Sequence, residues 1–139
     1  WINRHSGMTV LDLYKDQEVR TSIYDCVDAV FKDYDLIITP TVACQPVHNS
    51  VDGNTLGPSS INGETIDQLI GWCLTYVFNF TGHPAASVPI GLSKDKLPIG
   101  MQIVGRRDRD EDVLIASAAF EQMRPWKDSY KLCDQRVID

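Results

Sequence analysis

Two neighbouring serines are the residues of this sequence that most resemble a nucleophile loop. Ser59 and Ser60 lie between Gly57 and Gly63, and a glycine-rich loop can place a serine beside backbone N–H groups that stabilise an oxyanion. Pro58 argues against this assignment because it removes one of those N–H groups. We therefore favour a solvated turn that caps a helix beginning at residue 64.

Two histidines could serve as a general base. His83 stands between Gly82 and Pro84, and no Asp or Glu lies near it in the sequence to orient its ring. His48 lies in a segment rich in small polar residues. For His83 we expect a structural or pocket-lining role rather than a catalytic one.

The cysteines do not predict a metal site. Cys26, Cys44, Cys73 and Cys133 are widely spaced and form no CxxC pair, so we expect reduced thiols, as in a cytoplasmic protein. The sequence also has no GxGxxG and no P-loop motif. We expect neither a metal nor a cofactor.

Composition excludes several classes of partner. The 139 residues fit one domain, with 43% hydrophobic and 23% charged residues. The formal net charge is −6 and the basic residues are dispersed, so nucleic acids and anionic membranes are not expected partners. No apolar run approaches the roughly 18 residues of a membrane span. Because residue 1 is not Met, we expect that it is not the natural start.

Hydrophobic periodicity predicts the elements that must position these residues. It indicates helices over 9–32, 64–80 and from about 110, and strands over 36–39, 86–90 and 100–104, the last two forming an antiparallel hairpin. Pro89 should lie at a strand end, an edge or a bulge. A long loop over 41–63 is often functional in a compact domain, although a surface excursion is an equal alternative. Interleaved helices and strands predict a layered α/β domain.

Four segments occur in the order and spacing of one protein family. They are DYDLIITPT (33–41), FNFTGHPAASVPIG (78–91), LPIGMQIVG (97–105) and the final helix around 112–121. Together, with Arg20 on the first helix, they resemble the C-terminal part of the amidase signature family over roughly residues 10–126. Lys96 stands where the family usually has glycine.

This resemblance implies a fold and a reaction. The fold is the C-terminal part of a layered α/β/α structure with a mixed sheet, in which residues 1–139 are one portion of a single amidase domain. The reaction is carboxamide hydrolysis through an acyl-enzyme, by a serine, a second serine in a cis peptide and a lysine. In the family these residues lie upstream, so no catalytic residue is expected here, and Ser59 and Ser60 lie on the wrong side of the fold.

The resemblance also implies partners. We expect the N-terminal portion of the same amidase to complete the sheet, and we expect this piece alone to be inactive and to self-associate through its open strand edges, as a homo-oligomer. The substrate is a small-molecule amide.

Family likeness places the substrate pocket beside the helix before Asn79 and beside the loop after the first strand. The pocket residues expected here are Trp72, Thr39, Thr41, Tyr76 and His83. In the branch formed by the glutamyl-tRNA amidotransferases, an acid seven residues before this asparagine grips the substrate amine, and here that position is Trp72. We predict a larger, more apolar or aromatic substrate; the equal alternative is that Trp72 only packs. Two further hypotheses are a non-catalytic scaffold with an amidase framework and a segment like the glutamyl-tRNA amidotransferases.

Overall fold

The computed structural model describes residues 7–131; residues 1–6 and Cys133 lie outside this range. The helices are α1 (Val10–Val30), α2 (Tyr76–Thr81) and α3 (Asp110–Met123), followed by a short 3-10 helix (Lys127–Tyr130). The strands are β1 (Leu36–Pro40), β2 (Ser60–Ile61), β3 (Glu64–Thr65), β4 (Ala85–Leu92) and β5 (Pro98–Gly105).

Helix α1 begins at a capping box. The Thr9 hydroxyl accepts from the backbone N–H of Asp12, and the Asp12 carboxylate accepts from the backbone N–H of Thr9. The Thr9 hydroxyl also donates to the Asp12 carboxylate at 2.6 Å. This hydrogen bond and the one from the Thr9 N–H lower the pKa of Asp12. The helix ends at the Phe31 cap, so the predicted helix over 9–32 is confirmed to within two residues.

The larger sheet has three strands in the order β1-β5-β4, and each neighbouring pair is antiparallel. The predicted hairpin is confirmed as β4 and β5. Its register shifts between Pro89 and Gly91, which confirms the bulge position allowed for Pro89 because proline cannot donate to the ladder.

Helices cover both faces of this sheet. On one face, Phe31 at the end of α1 and Phe78 of α2 pack with Val104 of β5. On the other, Val113 of α3 packs with Ile103 of β5 and with Val88 of β4. Since side chains alternate along a strand, adjacent residues of β5 supply the two opposite cores. The layered α/β prediction is confirmed, as is the final helix, which begins at Asp110.

The predicted helix over 64–80 is wrong, because only its last part, α2, is helical. In a helix the Gln68 carbonyl would accept from the backbone N–H of Trp72. Here that carbonyl accepts from the Trp72 indole Nε1 at 3.0 Å and from the Gly57 N–H at 2.8 Å. The Asp67 carboxylate accepts from the Leu69 N–H at 2.7 Å, which makes a local turn instead of a helix.

Residue 64 begins a strand, so the predicted capping turn at Ser59 and Ser60 is also wrong. Ser60 pairs with Thr65 in the two-stranded hairpin of β2 and β3. Asn62 and Gly63 connect these strands with φ of 51° and 86°, the left-handed backbone that two-residue hairpin turns require. The Asn-Gly pair is the sequence signal for this hairpin.

Candidate functional site

A row of polar side chains crosses one face of the three-stranded sheet. The register aligns Thr39 of β1, Gln102 of β5 and Ser87 of β4. The buried Gln102 side chain donates from Nε2 to Thr39 Oγ1 at 3.1 Å. Because alternate residues share a face, this row lies on the face that carries Ile37 and Val104.

A pair of hydroxyl groups extends this row. Thr41 Oγ1 and Ser87 Oγ are 2.7 Å apart, and the Thr41 backbone N–H donates to the Gly100 carbonyl at 3.1 Å. A Cβ at Gly100 would lie 2.7 Å from Thr41 Oγ1 and 3.1 Å from Ser87 Oγ. Glycine at this position therefore makes room for the hydroxyl pair. We call Thr39, Thr41, Ser87 and Gln102 the polar row.

The chain that follows Thr41 lies beside the segment that carries Trp72. The Ala43 backbone N–H donates to the Trp72 carbonyl at 2.9 Å. The residues around Ala43 also line a cleft of about 250 Å³ with the start of β5. Burial raises the pKa of the Cys44 thiol, and nearby Cys73 raises it further. The structure thus brings Trp72 next to the chain that follows the polar row.

Tyr76 is the first residue of α2, four residues after Trp72. Its ring is exposed and tilted against Phe80, with 6.3 Å between ring centroids. The Phe80 carbonyl, near the end of α2, accepts from Arg20 Nε of α1 at 2.6 Å. A cation at this place satisfies a helix-end carbonyl. Arg20 therefore holds α2 against α1.

His83 packs in a different place, against α1. Its ring stacks with those of Tyr24 and Phe31, with centroid separations of 5.4 Å and 5.2 Å. Its Nδ1 hydrogen-bonds with Thr81 Oγ1 at 2.8 Å, and its buried Nε2 has no hydrogen-bond partner among residues 7–131. Its role in the pocket stays a prediction.

The surroundings of His83 favour the neutral form of its ring. Burial lowers the pKa of His83, and the positive charge of Arg107 adds to this effect, whereas the Asp28 carboxylate opposes it.

A separate cleft of about 360 Å³ lies between α1 and the turn from β5 to α3. In this cleft Arg107 lies 5.8 Å from the Tyr24 ring centroid.

The remaining nucleophile and base candidates do not assemble into a catalytic set. Ser59 and Ser60 are exposed, and His48 is exposed in a segment without helix or strand. Within residues 7–131, neither serine side chain hydrogen-bonds to a histidine or a lysine. The same range contains no group of three or more His, Cys, Asp or Glu side chains suited to hold a metal ion, and no helix of it has the length and apolarity to traverse a bilayer.

Sequence reasoning missed Ser87 and Gln102 as members of the site. From the sequence alone, Ser87 is interpreted as a small strand residue, and Gln102 is noted only as one residue of a family motif. The available signal is alternation, since Gln102 is a polar residue between the apolar Met101 and Ile103. Alternation places it on the opposite face from those neighbours, but it does not identify Thr39 as its partner.

Comparison with known proteins assigns the family. The Amidase family model matches residues 2–114, which is most of the chain. An acylamidase of Rhodococcus erythropolis is 33% identical over 132 residues, covering 94% of this chain and 27% of that protein. A glutamyl-tRNA(Gln) amidotransferase protein of Brevibacillus brevis is 38% identical over 112 residues, covering 78% of this chain and 20% of that protein.

A solved structure is similar over nearly the whole chain. It is a bacterial aryl acylamidase of the amidase signature enzymes, with 51% identity, a TM-score of 0.93, and coverage of 99% of this chain and 28% of that chain. The chain therefore spans between 20% and 28% of the length of these relatives. The resemblance inferred from the sequence motifs is confirmed: the chain belongs to the amidase signature family.

Proposed function

We propose that this chain is the C-terminal segment of an amide hydrolase and that it shapes the substrate pocket of the complete enzyme. The observation that carries the proposal is the likeness to the aryl acylamidase, which includes 99% of this chain at 51% identity but only 28% of the other chain. The remainder of a protein of that length is long enough to carry the catalytic residues.

The proposed mechanism is the acyl-enzyme route of the family, through a serine, a serine in a cis peptide and a lysine supplied upstream of this chain. The described residues support this division of labour, because Ser59 and Ser60 have no histidine or lysine partner within residues 7–131. This segment then completes the sheet and leaves the chemistry to the N-terminal portion. Alone it is inactive.

The proposed pocket uses the open part of the sheet face. Thr39 and Thr41 offer hydroxyl groups on the polar row, and a hydroxyl can both donate to and accept from an amide. Trp72 and Tyr76 add aromatic surface at one side, joined to the first strand through the Ala43–Trp72 hydrogen bond. A few placed polar groups beside aromatic walls are typical of small-molecule sites.

We propose an aryl or otherwise apolar amide as the substrate. Trp72 occupies the position where the amidotransferase branch carries an amine-binding acid, and an indole cannot replace a carboxylate in that role. The 38% identity to an amidotransferase protein keeps that activity as the second candidate. An assay of glutamine hydrolysis by the full-length protein tests this second candidate.

The proposed partner is the N-terminal portion of the same protein, in a cytoplasmic enzyme. In residues 7–131, β1 and β4 each have only one neighbouring strand in the larger sheet, so each has a free edge for pairing. Among residues 7–131, Cys26, Cys44 and Cys73 form no disulfide with one another, as expected in a reducing compartment. Without its partner the chain should self-associate.

The test is amide hydrolysis by the 139-residue chain alone and after the upstream portion is added, with matched anilide and aliphatic amide substrates. We expect no activity alone and activity on the anilide after reconstitution. Activity of the chain alone would overturn the division of labour, and Ser59, Ser60 and His83 would then be the residues to mutate. A reconstituted protein that binds the upstream portion yet hydrolyses no amide would favour the scaffold hypothesis.

A further inference from the structure

Three hydrogen bonds join Gly57, Gln68 and Trp72 into a closed group. The Gln68 carbonyl accepts from the Trp72 indole Nε1 at 3.0 Å and from the Gly57 N–H at 2.8 Å. In return, the Gln68 side chain donates from Nε2 to the Gly57 carbonyl at 3.1 Å. The indole has one N–H donor, and this donor is already used, so rotation of the ring would break a hydrogen bond.

Gly57 also lies in direct contact with the indole ring. A Cβ at this position would be 2.1 Å from Nε1, 2.3 Å from Cδ1 and 2.8 Å from Cε2 of Trp72. These separations are far below van der Waals contact, so any side chain at residue 57 displaces the ring. Gly57 is buried, whereas Trp72 is only half-buried. The indole therefore packs on the glycine and keeps part of its surface open.

We propose that Gly57 and Gln68 are positioning residues that set the amide preference of the enzyme by fixing the Trp72 indole. This inference rests on the proposed function, in which Trp72 borders the substrate pocket. The Ala43–Trp72 backbone hydrogen bond fixes the location of the indole relative to the end of β1. The Gly57 and Gln68 contacts fix its orientation. A preorganised aromatic wall binds an aryl group without the entropic cost of ordering a mobile ring.

The first test is Gly57→Ala in the full-length protein. We expect the ratio of kcat/KM for an anilide to that for a matched aliphatic amide to fall about tenfold, the scale of a lost apolar pocket contact. Most of the change should lie in KM for the anilide, since in this proposal the indole contacts the aryl group and not the reacting bond. The control is Gly63→Ala, which strains a φ of +86° in the same region but has no atom within 4 Å of the added Cβ. It should lose stability and keep the ratio.

A double-mutant cycle separates positioning from general damage. In a Trp72→Ala background, Gly57→Ala should change the ratio by less than about twofold, because its effect acts through the indole. Gln68→Met, which removes the side-chain amide but keeps the backbone carbonyl, should shift the ratio in the same direction by a smaller factor. An effect of Gly57→Ala that persists without Trp72 would overturn the proposal.

Fluorescence tests the positioning independently of activity. The Trp72 contribution, taken as the difference between each protein and its Trp72→Phe partner, should be red-shifted and more accessible to acrylamide in Gly57→Ala. If the Trp72 fluorescence is the same in Gly57→Ala as in the natural protein, this inference is refuted, but the proposed function is not. If Trp72→Ala leaves the aryl preference intact, the proposed pocket role of Trp72 fails and this inference fails with it. If Trp72→Ala changes the preference but Gly57→Ala does not, only this inference fails.

Discussion

The two faces of the three-stranded sheet are built from the same strands but carry different side chains. The face under α3 is apolar along its length, with Val88 and Ile103 packed against Val113. The opposite face is apolar only at the end covered by α1 and α2, where Val104 meets Phe31 and Phe78. Its other half carries the polar row. Two residues along β5, from Val104 to Gln102, mark the change from core to candidate site.

This difference separates residues that pack in the apolar core from polar residues that are candidates for binding. A buried polar side chain costs free energy unless it is hydrogen-bonded, and Gln102 meets this requirement through Thr39. The hydroxyls of Thr41 and Ser87 face each other at the open part of the same face. Substitutions on the α3 face should therefore change stability, and substitutions at the polar row should change activity as well.

The largest expected loss of stability is on the α3 face. Ile103→Ala should lower the free energy of unfolding by about 3 kcal/mol, because Ile103 is 2% exposed and its removal leaves a cavity. The measurement is urea unfolding of the full-length protein, with kcat/KM for the anilide and aliphatic amide assayed on the folded fraction. The conservative control, Ile103→Val, should cost about 1 kcal/mol. A change in the substrate ratio for either variant would contradict the separation of the two faces.

Gly100→Ala should cause a smaller loss of stability than Ile103→Ala, together with a loss of activity. The added Cβ would lie 2.7 Å from Thr41 Oγ1 and 3.1 Å from Ser87 Oγ, so the hydroxyl pair must separate. Overpacking of this kind costs about 2 kcal/mol. The measurements are urea unfolding and kcat/KM, with Gly7→Ala as the control because no atom lies within 4 Å of its added Cβ. A destabilised variant with unchanged kcat/KM would remove the hydroxyl pair from the site.

The regular part of this fold could be predicted from the sequence because its signals are local. Helix α3 begins with three acids in its first turn, and the hairpin of β4 and β5 is bounded by turn residues. The bulge near Pro89 also follows from one residue, since proline has no N–H to donate. In each case the deciding interaction is contained within a few residues.

The segment around Trp72 could not be predicted in the same way. Its apolar residues recur at helical spacing, but the Gln68 carbonyl is taken by the Gly57 N–H, eleven residues earlier, and by the Trp72 indole. Nothing in the local pattern shows that a distant glycine competes for that acceptor. The polar row could not be predicted from the sequence for a similar reason. The register that brings Thr39 opposite Gln102 depends on the pairing of strands that are 63 residues apart.

The smallest expected effect concerns the covered end of the second face, where His83 stacks on Phe31. Burial lowers the pKa of His83 below the ordinary value of 6.5, so the folded protein binds a proton less readily than the unfolded chain. Stability from this group is therefore complete above about pH 6.5 and decreases as the pH falls through that value toward the folded pKa. Asp28 limits the decrease and Arg107 increases it.

His83→Phe should remove this contribution, so that stability falls less steeply between about pH 7 and about pH 5 than in the natural protein. Unfolding by urea at each pH measures the slope, and His48→Gln is the control for loss of an exposed histidine. Asp28→Asn should steepen the slope, because it removes the carboxylate that favours the charged ring. A His83→Phe variant with the natural slope would show that the ring is not held neutral by its packing. The ring would still pack on Tyr24 and Phe31, but this packing would not change its protonation equilibrium.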